Sequence, residues 1–330
     1  MRAYIIRRLL LMIPTLLLVT IIVFLTVRFI PGSLIDLMAS QQMGETMVSP
    51  EEIAEQIRHD LGLDIPVGKQ YLRWLGAWQQ EDGTFSGVLQ GDLGKSLWTQ
   101  RPILGEIAGK IPISLELGII GLITALLIAF PIGIYSAIRQ DTAGDYVGRT
   151  FAILCMSVPG FWLATMIIVF PSVWWGWTPS MVYIPITENL AENIKQFIIP
   201  SLLMGMVMSG VTMRMMRTMM LEVLRQDYIR TAWSKGLTER IVVMRHALKN
   251  AMIPVITIIG LQLPILIGGT VIMEQIFNLP GIGRLLIDSL SQRDYSIISG
   301  VNLMMGSVVM AANLLTDLTY AWLDPRIRYR

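Results

Sequence analysis

The chain has 330 residues, 53% of them hydrophobic and 15% charged, with a net charge of +2 and a mean hydropathy of +0.58. That balance lies outside the range of soluble domains and inside that of polytopic membrane proteins, and a charge so near zero offers no field for nucleic acid. A single cysteine, Cys155, excludes a disulfide framework and a Cys-rich metal site, and in its apolar setting it reads as a small buried side chain.

Arg2, Arg7 and Arg8 precede an apolar run from Leu9 to Val27. The run exceeds the roughly 7–15 residues of a signal-peptide core and no small-x-small site closes it, so it reads as a retained first transmembrane helix. Spanning helices need roughly 20 apolar residues, because lipid cannot satisfy a free backbone amide. Segments 9–29, 113–137, 150–174, 197–217, 253–273 and 298–322 meet that length. They predict an all-α polytopic membrane protein with six transmembrane helices, a single domain over 1–330. Lys and Arg number three at the N-terminus, two near 138–149, eight near 214–252 and three in the tail, against one near 176–196 and two near 274–297. The excess places both termini in the cytoplasm. Residues 31–110 are too long for a simple connection. They open helix-like at Ser49-Pro-Glu-Glu, continue into Gly/Asp-rich turns, and carry eleven acidic and six basic residues, which suits an external cap insertion between the first two spans.

No catalytic set emerges. Gly94-Lys95-Ser96 has the ending of a phosphate loop, but the glycine required five residues before Gly94 is Leu89. Gly281-x-Gly283 fails similarly at Leu286. His59 and His246 fall on opposite sides of the membrane, and no zinc-protease, nucleophile-elbow or Cys-x-x-Cys pattern is present, so neither a catalytic residue nor a metal site is expected. Charges within spans cost about 2.5–3.5 kcal/mol each, which singles out Glu116 and Asp317. Asp317 shares a helical face with Asn313; it reads either as part of a polar path, with Asn302 and Asn313, or as an interfacial carboxylate bonded to Arg326 or Arg328. Glu116 reads as a boundary carboxylate reaching headgroups, or as a proton-coupling group. Met204, Met206, Met208, Met213, Met215, Met216, Met219 and Met220 cluster in and after the fourth span, fitting either a moving surface or lipid-facing packing.

Between the fourth and fifth spans, residues 218–252 hold an ordered cytoplasmic loop, and its patterned part continues to Pro254. Asp227 to Lys235 predicts a short projecting helix, and Gly236 a helix end with positive φ. Leu237, Ile241, Met244 and Leu248 then fall on one face of a second helix, with Glu239, His246 and Lys249 opposite, predicting a helix along the membrane base. The pattern fits a lipid-bound surface helix or a segment gripped by a protein partner.

Asp-Tyr-Ile-Arg-Thr-Ala-Trp-Ser-Lys-Gly-Leu at 227–237 resembles the "EAA" loop of permease subunits of ATP-binding-cassette importers, in the dipeptide/oligopeptide/nickel branch. Against the general consensus Ala232 and Gly236 match, with Arg230 and Thr231 in place of Glu and Ala; against the branch's own pattern the fit is close. Arg245 to Pro254, Gly91-Asp92-Leu93-Gly94-x-Ser96, Ser157-Val-Pro159-x-Phe161-Trp162-Leu163, Glu274-x-x-Phe277-x-x-Pro280-Gly281-x-Gly283, Arg293-Asp294-Tyr295, Asn313-Leu-Leu-x-Asp317 and Leu323-Asp324-Pro325-Arg326 are similar to segments of the same branch. The resemblance implies half of a translocation pathway for peptides or related small solutes, in a bacterial or archaeal cytoplasmic (inner) membrane. The chain would carry no cofactor, ATP and Mg residing on two partner ATPase subunits. A second permease, an extracytoplasmic solute-binding protein and the lipid bilayer complete the partners. Asp227, Tyr228, Arg230, Thr231, Ala232, Lys235, Gly236 and Leu237 would meet an ATPase subunit. Gly91, Asp92, Gly94, Pro280, Gly281, Arg293 and Asp294 would meet the binding protein. The competing expectation is a proton-coupled secondary transporter using Asp317 and Glu116.

Overall fold

A computed structural model describes residues 2–28, 64–80, 82–180 and 182–323. The helix start expected at Ser49, His59, and the tail arginines Arg326 and Arg328 lie outside the described residues. Within them the chain forms α1 (Arg2–Arg28), α2 (Val67–Leu75), α3 (Ile103–Ile138), α4 (Ala143–Ser157), α5 (Gly160–Trp175), α6 (Leu190–Leu224), α7 (Asp227–Ser234), α8 (Glu239–Ile276), α9 (Ile282–Gln292) and α10 (Tyr295–Leu323). Among the described residues no strand forms; Lys95 and Pro102 make one isolated bridge.

α1, α3, α6, α8 and α10 are long and apolar enough to cross a membrane. The segment 150–174, expected as one span, is bent: α4 and α5, together long and apolar enough to count as a sixth span, meet at 91°. The cause is local. The ring of Pro159 excludes the helical conformation from Val158, which sits at φ −87°, ψ 122° and ends α4. Pro159 then serves as the N-cap of α5, its carbonyl accepting from Leu163 N–H at 3.1 Å.

The chain divides into two compact units. The first is built on Lys110–Leu285. Its centre is α6, against which α4, α5 and α8 pack. Met204, Met208, Met213, Met216 and Met220 are buried in this interior, and Met206, Met215 and Met219 are half-buried, so most of the methionine cluster is core. Gly210 lets α6 and α4 approach closely, since a Cβ there would lie 2.8 Å from the Ala152 carbonyl oxygen. Asp145, whose side chain is fully buried, receives Arg217 Nε and an Nη2 hydrogen bond, both at 2.8 Å, joining α4 to α6.

The second unit joins the described residues of Leu9–Gly109 to Leu286–Ser307. Tyr71 and Trp74 of α2 pack on Phe24 of α1 at ring separations of 5.2 and 5.7 Å, and the Thr20 and Tyr71 hydroxyls are 2.8 Å apart. Gly76, at φ +85°, ends α2. Gly300 and Gly306 set α10 against Ile103 of α3 and Val19 of α1.

Candidate functional site

The eight residues of α7 are too few to hold a helix alone. Ile229 and Ala232 supply the anchor: both are buried against Met216 and Met220 of α6 and Val242, Val243, Ala247 and Ala251 of α8. Thr231 and Ser234 lie on the opposite face and are exposed, and Tyr228 and Trp233, which flank the buried pair, are exposed as well. Asp227, in the first turn, complements the helix dipole and pairs with Arg230 at 3.3 Å in full solvent. Arg230 and Lys235 are exposed; Ala232 is core; Leu237 is half-buried against the same cluster. Gly236 stops the helix at φ +75°, its N–H bonded to the Trp233 carbonyl at 2.9 Å, and no atom lies within 4 Å of where a Cβ would stand. The turn therefore needs glycine for backbone conformation rather than for room.

The second half of the 227–254 region differs from expectation. α8 begins at Glu239 and runs unbroken to Ile276, so no separate helix lies between Gly236 and the fifth span. In its first turns, up to Ala251, the buried residues are Val242, Val243, Ala247 and Ala251, while Ile241 and Met244 of the predicted apolar face are exposed. The reason is a π-helical stretch, Val242–Ala247, in which the Leu248 N–H reaches back five residues to Val243. The wider turn rotates the buried stripe away from a 3.6-residue period. At the other end of 218–252, α6 extends to Leu224. The connection between helices α6 and α7 is thus Arg225-Gln226.

Sequence patterns did not reveal several groups that organise this end. Ile229 is the deepest anchor of α7, and Trp233 is its largest exposed side chain. Arg139, after α3, pairs with Glu239 at the start of α8 at 3.0 Å. Tyr228 Oη accepts from Asn250 Nδ2 at 2.7 Å and donates to the His246 carbonyl at 3.5 Å. A charge or amide separated by tens to a hundred residues from its partner leaves no periodic signal.

The candidate docking residues belong to both units. In the second unit, Gly91 (φ +77°) and Gly94 (φ +82°) turn the chain around Asp92, which accepts from the Ser86 hydroxyl and from Gly94 N–H. Those bonds, with Lys95 nearby, hold the Asp92 carboxyl below its ordinary range. Asp294 is buried: one oxygen accepts from Ser96 Oγ at 2.6 Å and Leu97 N–H at 3.1 Å, and the other caps α10 through Ile297 N–H at 3.2 Å. The Ser96 hydroxyl of the abortive phosphate loop is therefore committed inside the chain. Asp294 and Gly91–Ser96 form one joined element, with Arg293 beside it at φ +57°.

Pro280 and Gly281 belong to the first unit, in a separate construction around the buried Glu274. Its Oε2 accepts from Gly283 N–H at 2.8 Å and Arg284 N–H at 3.1 Å, the opening of α9. Its Oε1 accepts from Ser114 Oγ at 2.6 Å, and that same hydroxyl oxygen accepts from Ile282 N–H at 2.9 Å. A Cβ on Gly281 would fall 2.3 Å from the Glu274 carboxyl carbon, so the motif's glycine is there for closeness to the carboxylate.

Asp317 pairs with Arg8 at 2.7 Å. Asn313 is exposed, and Asn302 Nδ2 donates to the Ile298 carbonyl of its own helix. Glu116 lies beside Asn193, with Oε1 buried and without a partner among the described residues. Among the described residues no three His, Cys, Asp or Glu side chains gather where they could hold a metal ion.

Residues 129–329 match the family model "Binding-protein-dependent transport system inner membrane component", and residues 1–118 match the model of its N-terminal component. The dipeptide transport system permease protein DppB of Escherichia coli (strain K12) is 38% identical over 353 aligned residues, covering 100% of both chains. The glutathione transport system permease protein GsiC of Pectobacterium atrosepticum is 37% identical over 327 residues and 99% of both chains. Among solved structures, the inward-facing MetNI methionine ABC transporter superposes with a TM-score of 0.54 at 15% identity, over 67% of this chain and 98% of that one, a likeness of fold.

Proposed function

The chain belongs to the binding-protein-dependent transport system inner membrane component family, and from that premise we infer how its parts serve transport. It is a permease subunit of an ATP-binding-cassette importer, a multi-pass protein of the inner membrane, with ATP hydrolysis assigned to separate subunits. The observation that carries the rest is α7: a short helix held from behind by Ile229 and Ala232, with its far face exposed.

In this reading both termini and the 225–238 connection face the cytoplasm. α7 seats in a cleft of an ATPase subunit through Tyr228, Thr231, Trp233 and Lys235. Closure of two ATPase subunits displaces α7, and the buried cluster passes that displacement to α6 and α8. Residues 31–110 form an external cap that, with the Gly91–Ser96 and Arg293–Asp294 element, receives a solute-binding protein. A second, homologous permease completes the pathway, and Asn302, Asn313 and Asp317 contribute polar groups to it. Peptides are the proposed substrate class, supported by relatives named for dipeptide and glutathione transport. Family membership displaces the proton-coupled reading, and the Arg8 partner of Asp317 accounts for a carboxylate in the last span.

The test is co-purification with ATPase subunits followed by ATP-dependent uptake of labelled dipeptides in vesicles. Gly236→Val forces a β-branched residue into a left-handed turn, where even an unbranched residue costs about 1–2 kcal/mol. It should abolish ATP-coupled uptake while the chain still inserts in the membrane. Undiminished uptake would remove the coupling role from this loop.

A further inference from the structure

We propose that Asn250 is a positioning residue that straps the coupling helix α7 to a compliant joint at the start of α8; the proposal rests on the coupling role just assigned to α7. Two independent irregularities mark the joint. The π-helical stretch Val242–Ala247 has the wider ring closed by Leu248 N–H to Val243, a geometry that is rare within α-helices and frequent at functional sites. Two turns later Pro254 lies inside the helix and donates nothing to the carbonyl four residues before it, which belongs to Asn250. Between these points α8 bends and rotates more readily than an uninterrupted helix.

α7 is fastened to this stretch on two sides. The apolar side is Ile229 and Ala232 on Val242, Val243 and Ala247. The polar side is a triangle: Asn250 Nδ2 donates to Tyr228 Oη at 2.7 Å and lies 3.4 Å from the His246 carbonyl, which the Tyr228 hydroxyl also approaches at 3.5 Å. Apolar contacts allow sliding, because they have no preferred direction. A directed hydrogen bond from the far end of the joint fixes the rotation of α7 relative to α8. The Tyr228 hydroxyl is therefore turned back toward its own chain, and its ring, with Thr231, Trp233 and Lys235, remains on the surface offered to a partner.

The consequence is a role in transmission rather than in docking. Without Asn250, α7 still presents the same face to an ATPase subunit, but its displacement is absorbed in the joint. The experiment uses the assembled transporter in vesicles, with nitroxides on Leu127→Cys of α3 and Leu261→Cys of α8, both exposed positions. ATP with vanadate shifts the distance between them, and the ratio of shifted to unshifted molecules is read. Asn250→Ala should lower that ratio about fivefold, the effect of one hydrogen bond on a coupling equilibrium, with ATPase subunits co-purifying in normal amount. Asn250→Asp, whose carboxylate accepts from the Tyr228 hydroxyl, should recover part of the loss. Tyr228→Phe added to Asn250→Ala should lower the ratio no further, because both remove one contact.

An unchanged ratio in Asn250→Ala overturns the proposal. So does a proportional loss of ATPase co-purification, or two losses that multiply. Trp233→Ala and Gly236→Val separate this from the coupling reading itself. If they impair the ATP-driven shift while Asn250→Ala does not, the strap falls alone; if they too leave it intact, the coupling role of α7 falls with it.

Discussion

Replacing Glu274 tests whether the turn between α8 and α9 is held by a carboxylate or merely surrounds one. In Glu274→Ala the N–H groups of Gly283 and Arg284 and the hydroxyl of Ser114 lose their acceptor. Each buried donor left unsatisfied costs about 1–3 kcal/mol, and relief of the buried charge offsets part of the sum, so the net loss is about 3–5 kcal/mol. Glu274→Gln is a sharper probe. Its oxygen can face the two backbone N–H groups while its amide faces Ser114, whose oxygen has two lone pairs and can accept from both the amide and Ile282 N–H. The geometry survives and the loss is about 1 kcal/mol, the difference between a charged and a neutral acceptor. Heating the detergent-solubilised protein and following the folded fraction by size exclusion should rank wild type, Gln and Ala in that order, with Ala well separated. Equal midpoints for Gln and Ala would refute the donor accounting, and a wild-type midpoint for Ala would refute the latch.

Arg217→Met leaves the fully buried Asp145 without its bidentate partner and should cost about 3–5 kcal/mol, most of it restored when Asp145→Leu is added, by the same heating assay. Asp294→Ala removes an N-cap worth about 1 kcal/mol and frees the Ser96–Leu97 strap, so protease should cut within 92–98 faster than in wild type while the chain stays folded. Gly236→Asn should retain most ATP-dependent uptake, because Asn tolerates the left-handed region and a side chain there meets no neighbour; loss equal to that of Gly236→Val would show that space, not backbone conformation, is limiting.

What was legible in the sequence followed from long apolar runs and from glycines. The spans later found as α1, α3, α6, α8 and α10 announce themselves by length, and Gly236 by its place between two helical patterns. Proline was a poor guide on its own. Pro131, Pro200 and Pro264 lie inside continuous helices, while at Val158-Pro159 one helix ends and the next begins. The separate helix expected after Gly236 is instead the start of α8, where a π turn adds a residue to the period and brings Val242, Val243 and Ala247 into the interior while a reading at 3.6 residues per turn selects Ile241 and Met244. α9 was missed because eleven residues between Ile282 and Gln292 are too few and too mixed to register as a span. Motif spacing does not show that Asp294 and Gly281 each serve a buried construction, one closed by Ser96 and the other by Glu274.

The corner between α4 and α5 bears on the order in which the chain is made. Its arms have 15 and 16 residues, and each falls short of the roughly 20 needed to bridge a bilayer's hydrocarbon. Neither arm is a self-sufficient anchor when it leaves the ribosome. Their neighbours on α6 emerge afterwards: Gly210, which admits α4, and Arg217, which neutralises Asp145. The contacts that hold the corner are therefore complete only when the chain has been made as far as Arg217, some sixty residues beyond Ser157.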